Sequence, residues 1–233
     1  MKIKAFTLAE VLIVLTILGV IAALTLPALN ANIQKQQTGP ALIKAISTLE
    51  TANALVSQEQ DFYNFAESCG DNYLANCFEP FVKEKLGAAK LEETITYGKF
   101  DNPSSTISTP RNGYITKNGF IYYVPDRTIG QGYLTVIDIN GTKRPNVVAK
   151  DLFYVVMMPQ DESCKVYAIG SKLLKEYMNT HYTGHTIYSS SWDAPYNIGG
   201  SSSCNADLVS GSPKGFYCAG SIVDNGGRVI YPW

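Results

Sequence analysis

Hydrophobic positions along this chain change their rhythm twice. From Phe6 to Leu26, FTLAEVLIVLTILGVIAALTL, almost every residue is apolar and Glu10 carries the only charge. No face is polar, so the run predicts a helix bathed in lipid rather than one lying on a core. Its 21 residues reach about 31 Å as a helix, enough for a hydrocarbon layer of about 30 Å. From Ala28 to about Gln60 the apolar positions thin to Leu42, Ile43, Ile46, Leu49, Ala52 or Asn53, and Val56, with Lys44, Glu50 and Gln58 on other faces. That spacing predicts an amphipathic continuation of the same helix. Pro27 and the Gly39-Pro40 pair should kink or interrupt it, because proline lacks an N–H and crowds the preceding turn.

After Asp61 the period shortens. Phe81 to Leu86 suits a brief helix, and strand-like runs follow at Gly113 to Lys117, Phe120 to Val124, Tyr133 to Ile139 and Leu152 to Met158. Asn118-Gly119 is a tight-hairpin signal, since both residues tolerate positive φ. The economical architecture is α+β: a long N-terminal helix, half transmembrane and half amphipathic, with about four antiparallel strands packed on its distal half. The last 50 or so residues, rich in Gly, Ser, Tyr and Asn, read as loops with one terminal hairpin near Phe216 to Tyr231. The expected divisions are 1–5 as a leader, 6–27 as the membrane helix, 28–60 as its continuation and 61–233 as a β-rich head.

Lys2 and Lys4 precede the span, which favours a cytoplasmic N-terminus and an exported C-terminal head. Glu10 is the costly residue. An acid at the centre of a membrane helix costs roughly 2.5–3.5 kcal/mol, somewhat less near the ends, so such groups tend to have partners. A cut between Ala5 and Phe6 would create an α-amino group at the same depth, and a neighbouring subunit shifted along the axis could present it to Glu10. A signal anchor that tolerates one acid near the interface is the plainer reading. Cleavage after the apolar core, near Ala22-Ala23, would instead release a soluble head.

The run Ala5-Phe6-Thr7-Leu8-Ala9-Glu10-Val11-Leu12, basic before it and apolar after it, resembles the prepilin-type cleavage and methylation motif. That motif belongs to type IV pilins and to the pseudopilins of type II secretion. The resemblance implies cutting before Phe6 by a prepilin peptidase, N-methylation of Phe6, and Glu10 as the assembly residue. It also implies a single pass through the bacterial inner membrane, an inner-membrane assembly platform, and a homo- or hetero-oligomeric filament of pilin-like subunits. Gly19 and Pro27 fall where the family often carries helix breakers, which would let the rod loosen inside a filament. Ala5 departs from the glycine usual before the cut.

Composition fits an exported subunit without adding chemistry. Net charge is −1, and the side chains sum to −3 once the two leader lysines are gone; no general basic footprint for nucleic acid results. None of the five cysteines forms a CxxC, so zinc and thioredoxin-like chemistry lack support. The expected disulfides are Cys69–Cys77 and Cys204–Cys218, with Cys164 left over; the second resembles the C-terminal loop of many pilins. Buried free thiols are the alternative.

The most distinctive stretch of the head runs Asp138-Ile-Asn140-Gly141-Thr-Lys143-Arg144-Pro145-Asn146, with Asp151 beyond. It resembles a DxNGxxxPN…D run of pseudopilin-like bacterial proteins. Oxygen donors at Asp138, Asn140 and Asp151 nominate calcium, yet EF-type spacing is absent and Lys143 and Arg144 would repel a cation. A strand-ending turn held by Asx hydrogen bonds is the competing reading. Asp224-Asn225-Gly226-Gly227 reads as a turn, and His181 and His185 as loop histidines, Thr183-Gly184 arguing against a helix.

No HExxH, GxSxG or P-loop is present, and Gly130-Gln131-Gly132 lacks the third glycine of a dinucleotide site. No catalytic residues and no cofactor are therefore expected. Trp192, Tyr196, Tyr217, Tyr231 and Trp233 could form a contact surface or fill the core. Two other functions stay open: a low-abundance tip subunit whose head binds a surface or DNA, and an exported enzyme tethered by an uncleaved anchor.

Overall fold

Leucine, alanine and isoleucine dominate the N-terminal third, and these residues lose little on entering a helix or are held there by packing. The computed structural model describes residues 7–57, 78–100, 102–107, 112–123, 128–129, 132–157, 165–181, 204 and 215–231. Helix α1 spans Leu8–Ser57 without a break, with Pro27 and Pro40 inside it. Of the kink or interruption expected at Pro27 and Gly39-Pro40, the interruption is therefore corrected: the helix runs through both prolines. At Gly39 the missing side chain serves packing, as described below.

The head follows. Helix α2 (Glu79–Glu84) leads into strands β1 (Ala89–Lys90), β2 (Gly113–Ile115), β3 (Ile121–Tyr123), β4 (Thr128–Ile129), β5 (Gly132–Asp138), β6 (Leu152–Met157) and β7 (Val166–Ala168), then helices α3 (Lys172–His181) and α4 (Cys218–Asp224). All strand pairs are antiparallel, in the order β1-β2-β3-β5-β6-β7 with β4 pairing β5. The layout is thus α+β, as expected, but among the described residues the sheet has seven strands rather than about four. The three additions, β1, β4 and β7, are two or three residues long, too short for an alternating pattern to show.

Both faces of the sheet are covered, so β6 is buried at all six positions and reads as a continuous apolar run. One face lies on the distal half of α1, where Leu42, Ala45, Ile46, Leu49 and Ala52 are buried at helical spacing. Tyr122 crosses that interface and donates its hydroxyl to the Ala45 carbonyl at 3.2 Å. The other face is covered by Tyr97, which packs on Tyr123, by Phe216 and by α3, with Tyr154 packed on Phe216 and Tyr167 on Tyr177.

The C-terminal hairpin expected near 216–231 is corrected too. Residues 218–224 form α4, although Cys-Ala-Gly-Ser is a poor helical start. Tertiary packing decides the matter: the Gly220 N–H donates to the Ile169 carbonyl at 2.9 Å, and a Cβ there would lie 2.1 Å from the Gly170 carbonyl carbon. After α4, Gly226 and Gly227 turn the chain at positive φ. Gly227 then meets α1 so closely that a Cβ on Gly39 would stand 1.7 Å from its carbonyl oxygen.

Candidate functional site

The first turn of α1 places Glu10. Thr7 precedes the helix, and its N–H and hydroxyl both donate to Glu10 Oε2 at 2.8 Å, while the Glu10 N–H donates back to Thr7 Oγ1 at 3.3 Å. This reciprocal pattern is a capping box, and Thr7-Leu8-Ala9-Glu10 is its S/T-x-x-E signature. The sequence reading missed it by looking for a partner only outside the subunit. Ala5 and Phe6 lie outside the described residues.

From Glu10 onward α1 is long and apolar enough to cross a membrane, and its apolar window has no burial within the chain. The exposed residues include Leu12, Ile13, Leu15, Ile17, Leu18, Val20, Ile21, Leu24 and Leu26. Its two polar side chains are turned inward on the backbone: Thr16 Oγ1 donates to Leu12 O at 2.8 Å and Thr25 Oγ1 to Ile21 O at 2.9 Å. Such internal satisfaction is what a hydrocarbon environment demands. Gly19 stands in open space, with nothing within 4 Å of a built Cβ.

The second polar cluster lies where β5 turns toward β6, and it brings Asp138, Asn140 and Asp151 together. Asp138 is fully buried; its Oδ1 accepts from Asn140 N at 2.9 Å and Gly141 N at 2.8 Å, and its Oδ2 accepts from the Tyr97 hydroxyl. Tyr97 and Tyr123 share a further hydroxyl contact at 2.9 Å. Asp151 Oδ1 accepts from Asn140 Nδ2 at 2.8 Å, and its Oδ2 from Val147 N at 3.0 Å.

Burial pushes the Asp138 carboxyl up to about 6, against the pull of its hydrogen bonds. Burial likewise raises Asp151 to about 7, opposed by the Val147 N–H and reinforced by the negative charge of Asp138. Burial and the nearby carboxylate also raise the Tyr97 phenol. The arrangement is an Asx-type turn clasping the end of the sheet. Within this loop Asn140 Oδ1 and Asn146 Oδ1 are buried without a hydrogen-bond partner among the described residues. No group of three or more His, Cys, Asp or Glu able to hold a metal occurs among the described residues.

Cys204 and Cys218 are joined as a disulfide, Cα atoms 4.6 Å apart. Cys69, Cys77 and Cys164 lie outside the described residues. His181 ends α3 rather than sitting in a loop; Leu174 and Met178 bury one side of that helix and Ser171 Oγ caps it through Leu174 N at 3.2 Å. Its ring stacks on Tyr177, centroids 4.3 Å apart, and His185 falls outside the described residues.

Residues 1–26 match the family model for the prokaryotic N-terminal methylation motif. This is the signature of type IV pilins and pseudopilins. No curated protein and no solved structure matches the chain.

Proposed function

We propose, with that N-terminal signature as the premise, that the chain is a structural subunit of a type IV pilus or a type II secretion filament. It is made as a precursor, anchored in the bacterial inner membrane by the apolar half of α1, and cut between Ala5 and Phe6. Phe6 is then N-methylated. One observation carries this reading: a single helix is almost wholly apolar and unburied over its first half, yet forms a wall of the head's core over its second. The exposed half needs either lipid or copies of itself, and an assembling filament supplies each in turn.

Glu10 sets the register in this scheme. Its carboxylate leaves the Thr7 cap to meet the α-amino group of the neighbouring subunit's Phe6 as the helix leaves the bilayer. The partners are pilin-like subunits, a prepilin peptidase and an inner-membrane assembly platform. Mass spectrometry of the mature N-terminus tests the processing, with N-methylphenylalanine expected at the first position. Glu10→Ala tests the assembly role: the variant should insert normally and yield no filaments. Normal filaments from that variant would sink it.

A further inference from the structure

The end of the head from which α1 emerges is unusually basic. Contacts between the head and α1 fix which end is which. At the far end the Val166 N–H of β7 reaches Glu50 Oε1 at 3.3 Å. At the near end Thr38 Oγ1 reaches the Lys150 carbonyl at 3.4 Å, and Lys35 Nζ reaches the Tyr231 carbonyl at 3.4 Å. Residues 139–151 therefore sit at the level of Thr38, where α1 enters the head.

The 117–119 turn abuts them, since a Cβ on Gly141 would lie 2.6 Å from the Gly119 carbonyl oxygen. Residues 227–231 descend beside α1 from Gly39 to Lys35, with Val229 packed on the core and Arg228 and Ile230 turned out.

This end thus gathers Lys35, Lys117, Lys143, Arg144, Lys150 and Arg228, of which Lys117, Lys143, Arg144 and Arg228 are exposed. Asp138, Asp151 and Asp224 lie at the same end, the first two buried and Asp224 half-buried with its carboxylate on the Lys172 N–H. Exposed Ile33 on α1 and Ile230 beside it add an apolar patch at that level.

Height above the membrane follows from helix geometry. With the apolar run through Leu26 in the hydrocarbon, Lys35 is nine residues, or about 14 Å, further on, and Thr38 about 18 Å. The headgroup layer takes up roughly 5–8 Å on each side, and charges act across a Debye length of about 8 Å.

We propose that this basic underside docks on the anionic phospholipid headgroups of the leaflet that α1 enters. Docking holds the head upright over its own span before assembly, and release from the lipid accompanies extraction of the helix. The inference rests on the reading of α1 as a membrane span.

Hydrogen exchange on the full chain, reconstituted in phosphatidylcholine vesicles with and without phosphatidylglycerol, tests it. Flotation with both vesicle types checks the span separately. Amides in residues 116–119 and 139–150 should exchange more slowly by about fivefold or more in the anionic vesicles. High salt should remove that protection, and so should the double variant Lys143→Gln with Arg144→Gln. Equal exchange in both lipids from a chain that floats with both would overturn the docking and leave the span intact. Protection that arises only in assembled filaments would overturn it in favour of a contact between heads. Failure to float would overturn the span itself.

Discussion

Thr7 and Glu10 hold each other across the first turn of α1, each donating a backbone N–H to the other's side chain. The acid that looked unpartnered in the sequence thus has an internal partner in the isolated subunit. In lipid this matters, because a bare carboxylate is costly there and a capping box supplies two donors without a neighbour.

Under the filament role proposed above, assembly is an exchange of partners, Thr7 for an α-amine, rather than the rescue of an orphan. Losing an N-cap hydroxyl costs about 1 kcal/mol. Thr7→Val removes the partner that assembly displaces, so it should insert in the membrane and raise filament yield, while Thr7→Ser keeps the original level. Filament yield at matched subunit levels reads the difference, and equal yields from the valine and serine variants would dismiss the hydroxyl.

Gly39 and Gly19 sit in the same helix and should respond oppositely to alanine. At Gly39 the new methyl meets the Gly227 carbonyl oxygen at 1.7 Å, backbone against backbone, with Gly227 itself at φ +85°. Overpacking of this kind costs typically about 1–3 kcal/mol, and a domain of this size loses about 2–4 °C of Tm per kcal/mol. At Gly19 nothing stands within 4 Å, so the head's melting temperature should not move. Thermal denaturation of both variants in detergent checks the pair. A Gly19→Ala effect confined to filaments would locate the role of that glycine in assembly.

How much of this could be read from the chain depends on where the information resides. Leu42, Ile46 and Leu49 announced their face of α1 because burial on a helix imposes its own period, and all three are buried. β5 and β6 were long enough to read as strands. α4 was not legible, since Gly220 helps the helix only through its contact with Gly170 and Ser171, a partner fifty residues away. Asp138 and Asp151 offered either a cation site or an Asx turn in sequence, which shows oxygen atoms but not the N–H groups that bond to them. The Thr7–Glu10 box, by contrast, was written locally, and Ser171 ahead of an amphipathic run was a readable cap for α3.

The Cys204–Cys218 bridge closes a separation of 14 residues and anchors the start of α4, whose own core is small. The chain-entropy model gives about 3 kcal/mol for a loop near this length. Reduction, or Cys204→Ser, should lower the unfolding midpoint of the full chain by that order. Denaturant titration with and without reductant measures it. A Cys204→Ser variant that still shifts on reduction would place the stabilising bridge elsewhere in the chain.

The buried acids at the foot of the sheet make the head's stability depend on pH, in the direction opposite to that of a salt-bridged carboxylate. Asp138 and Asp151 rise in the folded state from an ordinary value of 3.8 to about 6 and about 7. The native chain therefore holds protons that the unfolded chain has already released between roughly pH 4 and pH 7, and stability falls as pH rises through that window. At 1.36 kcal/mol per pKa unit, the two shifts together set the loss at no more than about 7 kcal/mol, and coupling between the groups brings it lower.

Chemical denaturation of the full chain in detergent should give a higher midpoint near pH 5 than near pH 8. Asp151→Asn is uncharged at every pH and also relieves Asp138 of a neighbouring charge, so it should flatten the slope whatever it does to absolute stability. A wild-type midpoint that rises between pH 5 and pH 8 would mean that the hydrogen bonds from Tyr97, Gly141 and Val147, rather than burial, govern these carboxylates.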